Sequence, residues 1–312
     1  MTVLLVGPTA SGKSGLSLRL AERYRAAGQP AEVVSADSML VYRGMDIGTA
    51  KPTVAERGGV VHHLMDILDV QQTATVADFQ LLARAAIADC RSRGVVPIVV
   101  GGSALYVRAI VDDFSFPATD PAVRAVLEEE LARDGWAALH ARLDSIDPAS
   151  AARIEPANGR RVVRALEVIA LTGGPYVAEL PDRRYLLPGV IQLGLDVDRP
   201  TLDARIQARV DAMWAAGFVD EVAALAEHGL RDGVTASRAL GYRQILRWFD
   251  GEITEVEARE QTVFGTRRFA RRQDSWFRKD ERIHWLNHDD PQLVERAYAV
   301  AGPLGDGVGM GD

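Results

Sequence analysis

Eight consecutive residues near the start of the chain have the composition of a phosphate-binding loop. They match the pattern G-x-x-x-x-G-K-[ST] and are Gly7, Pro8, Thr9, Ala10, Ser11, Gly12, Lys13 and Ser14. Glycines let backbone N–H groups approach phosphate oxygens, and the N-terminus of a following helix attracts the anion. Lys13 supplies a positive charge, and the hydroxyl of Ser14 is a ligand for Mg²⁺. The stretch therefore predicts a bound phosphate group, which in many such loops belongs to ATP.

Two further side chains, Asp37 and Ser103, are candidates for the same site. ATPases with such a loop usually carry an aspartate at the end of a later apolar strand. Here the apolar run 95–100 ends in two glycines and Ser103, whereas Asp37 follows the run 31–35. Parallel strands end at one edge of a sheet, so both side chains should face the phosphate. Two roles are open for Asp37: it is a general base, or it is a helix cap or an outer Mg²⁺ ligand. Ser103 is expected to cap the next helix, whatever other role it has.

Strand and helix patterns alternate over the first part of the chain, which is typical of a parallel sheet covered by helices. We predict strands over 3–6, 31–35, 95–100, 190–195 and 283–286, and helices over 14–27, 76–93, 103–111, 200–215, 218–228, 235–247 and 254–278. Between 121 and 172 every periodic segment is helical. The expected fold is α/β, with a P-loop NTPase-like parallel sheet core, an all-helical insertion domain and a helical C-terminal part.

The change of pattern near residue 112 also gives the expected domain boundaries. The catalytic core would comprise 1–112 and 186–301, and the helical insertion would comprise 113–185. The remaining segment, 302–312, is rich in glycine and is expected to be disordered.

Composition excludes several classes of protein. Of the 312 residues, 47% are hydrophobic and 25% are charged, as in ordinary globular chains. We expect no membrane helix, because no apolar run approaches about 18 residues, and no signal peptide, because a basic N-terminal region is lacking. The single cysteine, Cys90, favours a reducing cytoplasm. The adjacent His62 and His63 should form hydrogen bonds rather than chelate a metal, since their side chains point apart.

Any nucleic-acid partner must be bound by local basic patches, because the net charge is −7. One candidate patch lies in the insertion and comprises Arg160, Arg161 and Arg164. A second lies on the last long helix and comprises Arg267, Arg268, Arg271, Arg272, Arg278 and Lys279. The pairs 267/271 and 268/272 each fall on one side of that helix. Both patches are either phosphate-binding surfaces or merely solvated faces.

Several stretches together resemble one enzyme family. They are GPTASGKS at 7–14, SADSMLVYRGMDIGTAKP at 35–52, HHLMD at 62–66, GGSALYVRA at 101–109, DPASAARIEPANGRRVVRALEV at 147–168, ASRALGYRQ at 236–244 and FARRQDSWFRKD at 269–280. In this order the chain resembles the bacterial tRNA dimethylallyltransferases, the IPP transferase family. The resemblance extends over about residues 3–286.

The resemblance implies a reaction and a set of roles. A dimethylallyl group would move from dimethylallyl diphosphate to N6 of the adenosine 3′-adjacent to the tRNA anticodon. The loop would then hold the donor's diphosphate rather than ATP. Lys13, Ser14 with Mg²⁺, and Arg238 would stabilise the leaving diphosphate, while Asp37 would accept the amine proton. Ser103 stands where the family usually has threonine, near the same amine.

The resemblance and the basic patches also imply a tRNA-binding surface. Its candidate contacts to the anticodon stem-loop are Asp37, Ser38, Met39, Leu40, Ser103, Arg124, Arg160, Arg161, Val162, Val163, Arg164, Arg267 and Arg271. We expect a monomer in the cytoplasm.

Three other functions use the same loop. A prenyltransferase acting on free AMP would need neither the insertion nor the basic helix. A P-loop small-molecule kinase would transfer phosphate from ATP. A nucleotide-dependent RNA-binding switch would bind GTP or ATP and leave RNA covalently unchanged.

Overall fold

The computed structural model describes residues 1–117, 119–176 and 182–303. The chain forms two compact units, one from Met1–Asp112 with Arg183–Asp312 and the other from Asp113–Asp182. Most of the tail predicted to be disordered, residues 304–312, lies outside the described residues. The larger unit contains the sheet, and the smaller one is helical in its described parts.

The larger unit contains a six-stranded sheet in which every pairing is parallel, with strand order β3-β2-β4-β1-β5-β6. The strands are β1 (Thr2–Val6), β2 (Ala31–Ser35), β3 (His62–His63), β4 (Val96–Gly101), β5 (Val190–Asp196) and β6 (Ile283–Asn287). The predicted α/β fold with a parallel sheet is therefore confirmed. The two-residue strand β3 was not predicted, because it is too short to produce an alternating pattern.

Both faces of the sheet are covered, which explains why its central strands β1 and β4 are mainly apolar. All five residues of β1 are buried. Leu4 and Val6 join one apolar cluster, which includes residues of α2 (Val76–Ser92) and α3 (Ala104–Val111). Their neighbours Val3 and Leu5 join a second cluster, which includes residues of α1 (Lys13–Ala26) and α11 (Leu293–Ala301). This alternation follows from the two-residue period of a strand.

The C-terminal part is mainly helical, with one correction to the prediction. Its helices are α7 (Arg199–Ala215), α8 (Phe218–Glu227), α9 (Tyr242–Phe249), α10 (Glu255–Phe277) and α11. The continuous helix predicted over 235–247 is wrong. A 3₁₀ turn, Ala236–Arg238, is followed by Ala239 with ψ 144° and by Gly241 with φ 88°. A Cβ at Gly241 would lie 2.6 Å from the Phe218 ring, so the chain bends where only glycine fits.

The smaller unit is a helical bundle with its own core. It consists of α4 (Pro121–Ile146), which breaks at Gly135, a short α5 (Pro148–Ala151) and α6 (Gly159–Thr172). Buried residues such as Leu139, Leu143, Val162 and Leu166 form one apolar cluster between these helices. Within the described residues, none of the helices in either unit is both long and apolar enough to cross a membrane.

Candidate active site

The predicted phosphate loop connects β1 to α1, as its motif requires. Gly7 has φ +143° and Gly12 has φ +100°, conformations in which a side chain is strained. Ala10 also has a positive φ of 63°, so the loop stores backbone strain at a non-glycine residue. Gly12 occupies the N-cap position of α1 and provides no side-chain cap. The first amides of α1 therefore remain suited to an anionic ligand.

Lys13 folds back over this loop. Its Nζ donates a hydrogen bond to the Pro8 carbonyl at 2.7 Å and lies 3.5 Å from the Ser11 hydroxyl. Burial lowers the pKa of Lys13 to about 7, Asp37 opposes that lowering, and Arg209 adds to it. A bound anion would favour the charged form of this ammonium.

Asp37 follows β2 and lies within electrostatic reach of two cationic groups. One of its carboxylate oxygens accepts the Met39 N–H at 2.8 Å, which fixes the side chain by a local turn. Burial lowers the pKa of Arg209, and the Asp37 charge opposes this effect. The guanidinium of Arg209 also donates to the Thr49 carbonyl at 2.9 Å. Asp37 is therefore a fixed carboxylate whose charge acts on both Lys13 and Arg209.

Ser103 lies at the start of α3, and its hydroxyl is not used as a helix cap. The Ser103 carbonyl accepts the Val107 N–H at 2.9 Å, but the side chain makes no capping hydrogen bond. The expectation that this side chain caps the helix is therefore wrong, although the residue is at the N-cap position. Its hydroxyl remains available to a ligand.

Asp37, Arg209 and Ser103 line one cavity of about 700 Å³ in the larger unit, whereas Lys13 is not part of its lining. Its predicted members are Thr9, Asp37, Ser38, Met39, Ser103 and Arg238. Arg268 and Arg272 of the second basic patch also line it. Sequence reasoning missed five further lining residues, which are Arg209, Arg243, Phe264, Phe269 and Gln273. Gln273 lay within the stretch FARRQDSWFRKD, and that resemblance was the available signal for it. Arg209 had no such signal. It lies on α7, and only the packing of the folded chain brings it to the cavity.

The arginines of α10 divide between two environments. Arg268 and Arg272 are exposed and line the cavity. Arg267, which was predicted to contact tRNA, instead donates to the Asp203 carbonyl at 3.2 Å and lies 3.5 Å from the Gln207 side chain, both on α7. Arg271, its predicted partner, is exposed and outside the cavity lining. The side of α10 that faces the cavity is therefore the 268/272 side.

The predicted tRNA contacts in the smaller unit also differ in environment. Arg160 and Arg161 are exposed at the start of α6, whereas Val162 and Val163 are 0% and 3% exposed. The two valine side chains are committed to the core and are not available to a ligand. The contradiction with the prediction arises because helical residues adjacent in sequence point to different faces.

Arg124 and Arg164 bind a carboxylate inside the smaller unit. Both guanidinium groups contact Glu167, at 2.7 and 2.8 Å, and the Glu167 side chain is 0% exposed. Burial would raise the pKa of Glu167, but hydrogen bonds from Thr119 and the two arginines lower it to about 2. These two arginines therefore organise the bundle.

Histidine and cysteine residues meet at the other end of β2. His63 Nε2 lies 2.7 Å from a Glu32 oxygen, and the Cys90 sulfur lies 3.4 Å from the same oxygen. Arg93 donates to both oxygens of Glu32 at 2.8 Å, so a cation already balances this carboxylate. Burial raises the pKa of the Cys90 thiol to about 12. The cluster is a hydrogen-bonded contact between β2, β3 and α2.

Comparisons with known proteins agree with this geometry. A family model described as IPP transferase matches residues 40–280. The tRNA dimethylallyltransferase of Thermobifida fusca is 61% identical over 298 residues, covering 96% of this chain and 93% of the relative.

Solved structures give the same result. The full-length tRNA isopentenylpyrophosphate transferase of Bacillus halodurans has 41% identity and a TM-score of 0.68, with 95% of this chain and 94% of that chain covered. A eukaryotic dimethylallyltransferase acting on tRNA has 25% identity and a TM-score of 0.76, with 96% of this chain and 76% of that chain covered. Because the family model spans most of the chain and these relatives align along nearly all of it, the chain belongs to the IPP transferase family.

Proposed function

We propose that this chain transfers a dimethylallyl group from dimethylallyl diphosphate to N6 of the adenosine 3′-adjacent to the anticodon in tRNA, with release of diphosphate. The observation that carries the proposal is one cavity lined by Thr9 of the phosphate loop, Asp37, Ser103 and Arg238. Membership of the IPP transferase family supports the same reaction.

The phosphate loop is the proposed site of the donor's diphosphate. In the transfer, the bond between the allylic carbon and its oxygen breaks, and the electron pair leaves with diphosphate. Lys13 and Arg238 would stabilise the negative charge that grows on that group. Arg209 adds a third cation near Asp37, because it lines the same cavity. Fixed cations stabilise this charge more than mobile solvent does, since they need not reorganise.

Asp37 is the proposed general base. The adenine amine is a weak nucleophile, and it forms the new N–C bond as its proton passes to the carboxylate. The turn through Met39 holds one carboxylate oxygen in place at 2.8 Å. The Ser103 hydroxyl would position the same amine, because no cap hydrogen bond competes for it.

Mg²⁺ is the proposed metal. Ser14, the last residue of the phosphate loop, is exposed in the first turn of α1, and its hydroxyl offers the oxygen ligand that Mg²⁺ prefers. Bound there with the donor, Mg²⁺ would neutralise part of the diphosphate charge. Asp37 and Ser103 act on the amine independently of that ion.

The tRNA anticodon stem-loop is the proposed acceptor. The target base must leave the loop stack to enter the cavity. Exposed Arg268 and Arg272 on the cavity wall would contact phosphates there, and exposed Arg160 and Arg161 would contribute from the smaller unit. We propose that the enzyme acts as a monomer in the cytoplasm, where tRNA modification takes place.

The reaction is tested by single-turnover incubation with dimethylallyl diphosphate, Mg²⁺ and unmodified tRNA, followed by mass spectrometry of the nucleosides. One dimethylallyl group gained on adenosine is the expected result. A gain on AMP but none on tRNA would favour the free-nucleotide prenyltransferase. Phosphoryl transfer from ATP with no prenyl transfer would favour a kinase.

A further inference from the structure

The side chain of Gln273 connects two chain segments of the site, the phosphate loop and the turn that carries Ser103. It lies near the end of α10 and is 6% exposed. Its Oε1 accepts the Thr9 N–H of the phosphate loop at 2.8 Å. Its Nε2 donates to the Gly102 carbonyl, also at 2.8 Å. One amide therefore connects the phosphate loop to the turn that carries Ser103.

The two hydrogen bonds determine the orientation of the amide. The Thr9 N–H can only donate and the Gly102 carbonyl can only accept, so the oxygen and nitrogen of Gln273 have one satisfactory arrangement. No other uncharged side chain of this length offers an acceptor and a donor in the same plane. A carboxylate would keep the first bond and lose the second.

The amide of Gln273 also occupies the space beside Gly102. A Cβ at this position would lie 2.5 Å from Gln273 Nε2 and 3.4 Å from the Gly7 carbonyl. Because the atom that it would meet is the end of a side chain, a Cβ at residue 102 would displace the Gln273 amide.

We propose that Gln273 is a positioning residue that sets the distance between the donor held by the phosphate loop and the acceptor amine beside Ser103. The inference rests on the proposed function. Each substrate would still bind its own segment without Gln273, but the reacting atoms would lose their alignment. A misplacement of about 1 Å in such a site is expected to slow the reaction about 10²-fold.

The test compares the full-length wild-type chain with Gln273→Met, which keeps the side-chain length and removes both hydrogen bonds. Single-turnover rates are measured with saturating dimethylallyl diphosphate, Mg²⁺ and unmodified tRNA. We expect a loss of about 10²-fold in rate. Affinity for tRNA and the KM for the donor should change by less than about threefold, because both binding surfaces remain. Ser275→Ala, an exposed position on the same helix, is the control and should be unchanged.

A second variant, Gly102→Ala, displaces the same amide from the opposite side. It should reproduce the loss of rate, and the double variant should be about as slow as either single one, since all three break one connection. Additive losses would overturn the inference. So would a wild-type rate in Gln273→Met, or a loss matched by weaker binding of both substrates, which would indicate general misfolding. A wild-type chain that transfers nothing would overturn the proposed function, and this inference with it.

Discussion

Asp37 and Ser103 follow two hydrogen-bonded strands, and both line the same cavity. The strands β2 and β4 are parallel and pair Ser35 with Val100, so the segments after them begin side by side. The carboxylate is held by a local turn, whereas the hydroxyl makes no cap hydrogen bond. Sheet pairing thus brings the proposed general base and the proposed orienting hydroxyl to one edge of the sheet.

Replacing Asp37 should remove catalysis and spare binding. We expect Asp37→Asn to slow single-turnover prenyl transfer about 10²- to 10⁴-fold, the range that a general base contributes. Affinity for tRNA, measured by filter binding, should remain within about threefold, because one neutral side chain of similar size leaves the basic surfaces intact. The control is Asp69→Asn, an exposed residue paired with Arg43 at 2.8 Å. Near-normal turnover in Asp37→Asn would remove this residue as the base.

Ser103 provides a prediction that separates a structural from a chemical role. An N-cap serine replaced by alanine usually costs about 1 kcal/mol of stability. Because the Ser103 side chain makes no cap hydrogen bond, Ser103→Ala should leave the melting temperature unchanged and slow transfer about tenfold. Ser103→Thr should keep the rate, since it keeps the hydroxyl. A clear drop in melting temperature for Ser103→Ala, with unchanged transfer, would make this residue a helix cap only.

The arginines of α10 should differ in how they affect tRNA binding. Arg268→Gln combined with Arg272→Gln should weaken binding and reduce the salt dependence of log K by about 1.4, as expected for two lost contacts to single-stranded phosphates. Arg259→Gln is the control, because Arg259 lies on the same helix outside the patch and is paired with Asp211 at 2.8 Å. Arg267→Gln should lower stability instead, since Arg267 packs on α7. If the salt slope falls for Arg267→Gln and not for the 268/272 pair, the assignment of the cavity-facing side is wrong.

The lowered pKa of Glu167 predicts that the stability of the smaller unit depends on pH. Its pKa of about 2 lies below the ordinary 4.5, so its charged form stabilises the folded state. That contribution is complete above pH 4.5 and is lost as the pH falls towards 2. Glu167→Gln should lower the free energy of unfolding at pH 7 by about 2 kcal/mol, because Arg124 and Arg164 lose the carboxylate that both contact.

The measurement for Glu167 is urea unfolding of both proteins at pH 7 and at pH 3. The difference between wild type and Glu167→Gln should shrink at the lower pH, because at pH 3 the Glu167 carboxylate of the unfolded chain, with its ordinary pKa of 4.5, is already protonated. An equal difference at both pH values would show that the ion pairs do not carry this stability.

The phosphate loop and the class of fold were predictable from the sequence for a physical reason. The loop is eight contiguous residues, and its conformation depends on glycines and on a helix that begins within the motif. The strands are apolar because both faces of a parallel sheet are buried, and this leaves short uninterrupted runs in the sequence. The edge at which Asp37 and Ser103 meet then follows from strand direction.

Only the tertiary structure decided which face of each helix carries function. The pairs 267/271 and 268/272 have identical spacing, and contact between Arg267 and α7 leaves the second pair on the cavity wall. Val162 and Val163 belong to the same sequence motif as their arginine neighbours, and the motif does not show which of its side chains are buried. The folded bundle shows that both valines lie in its apolar core.

The connection made by Gln273 was also beyond local reasoning. Its partners Thr9 and Gly102 are distant in sequence, and their meeting depends on how α10 packs against the edge of the sheet. Sequence patterns report local conformation and burial, because these depend on neighbouring residues. Contacts between distant segments depend on packing of the whole chain, and these determine the distances within the site.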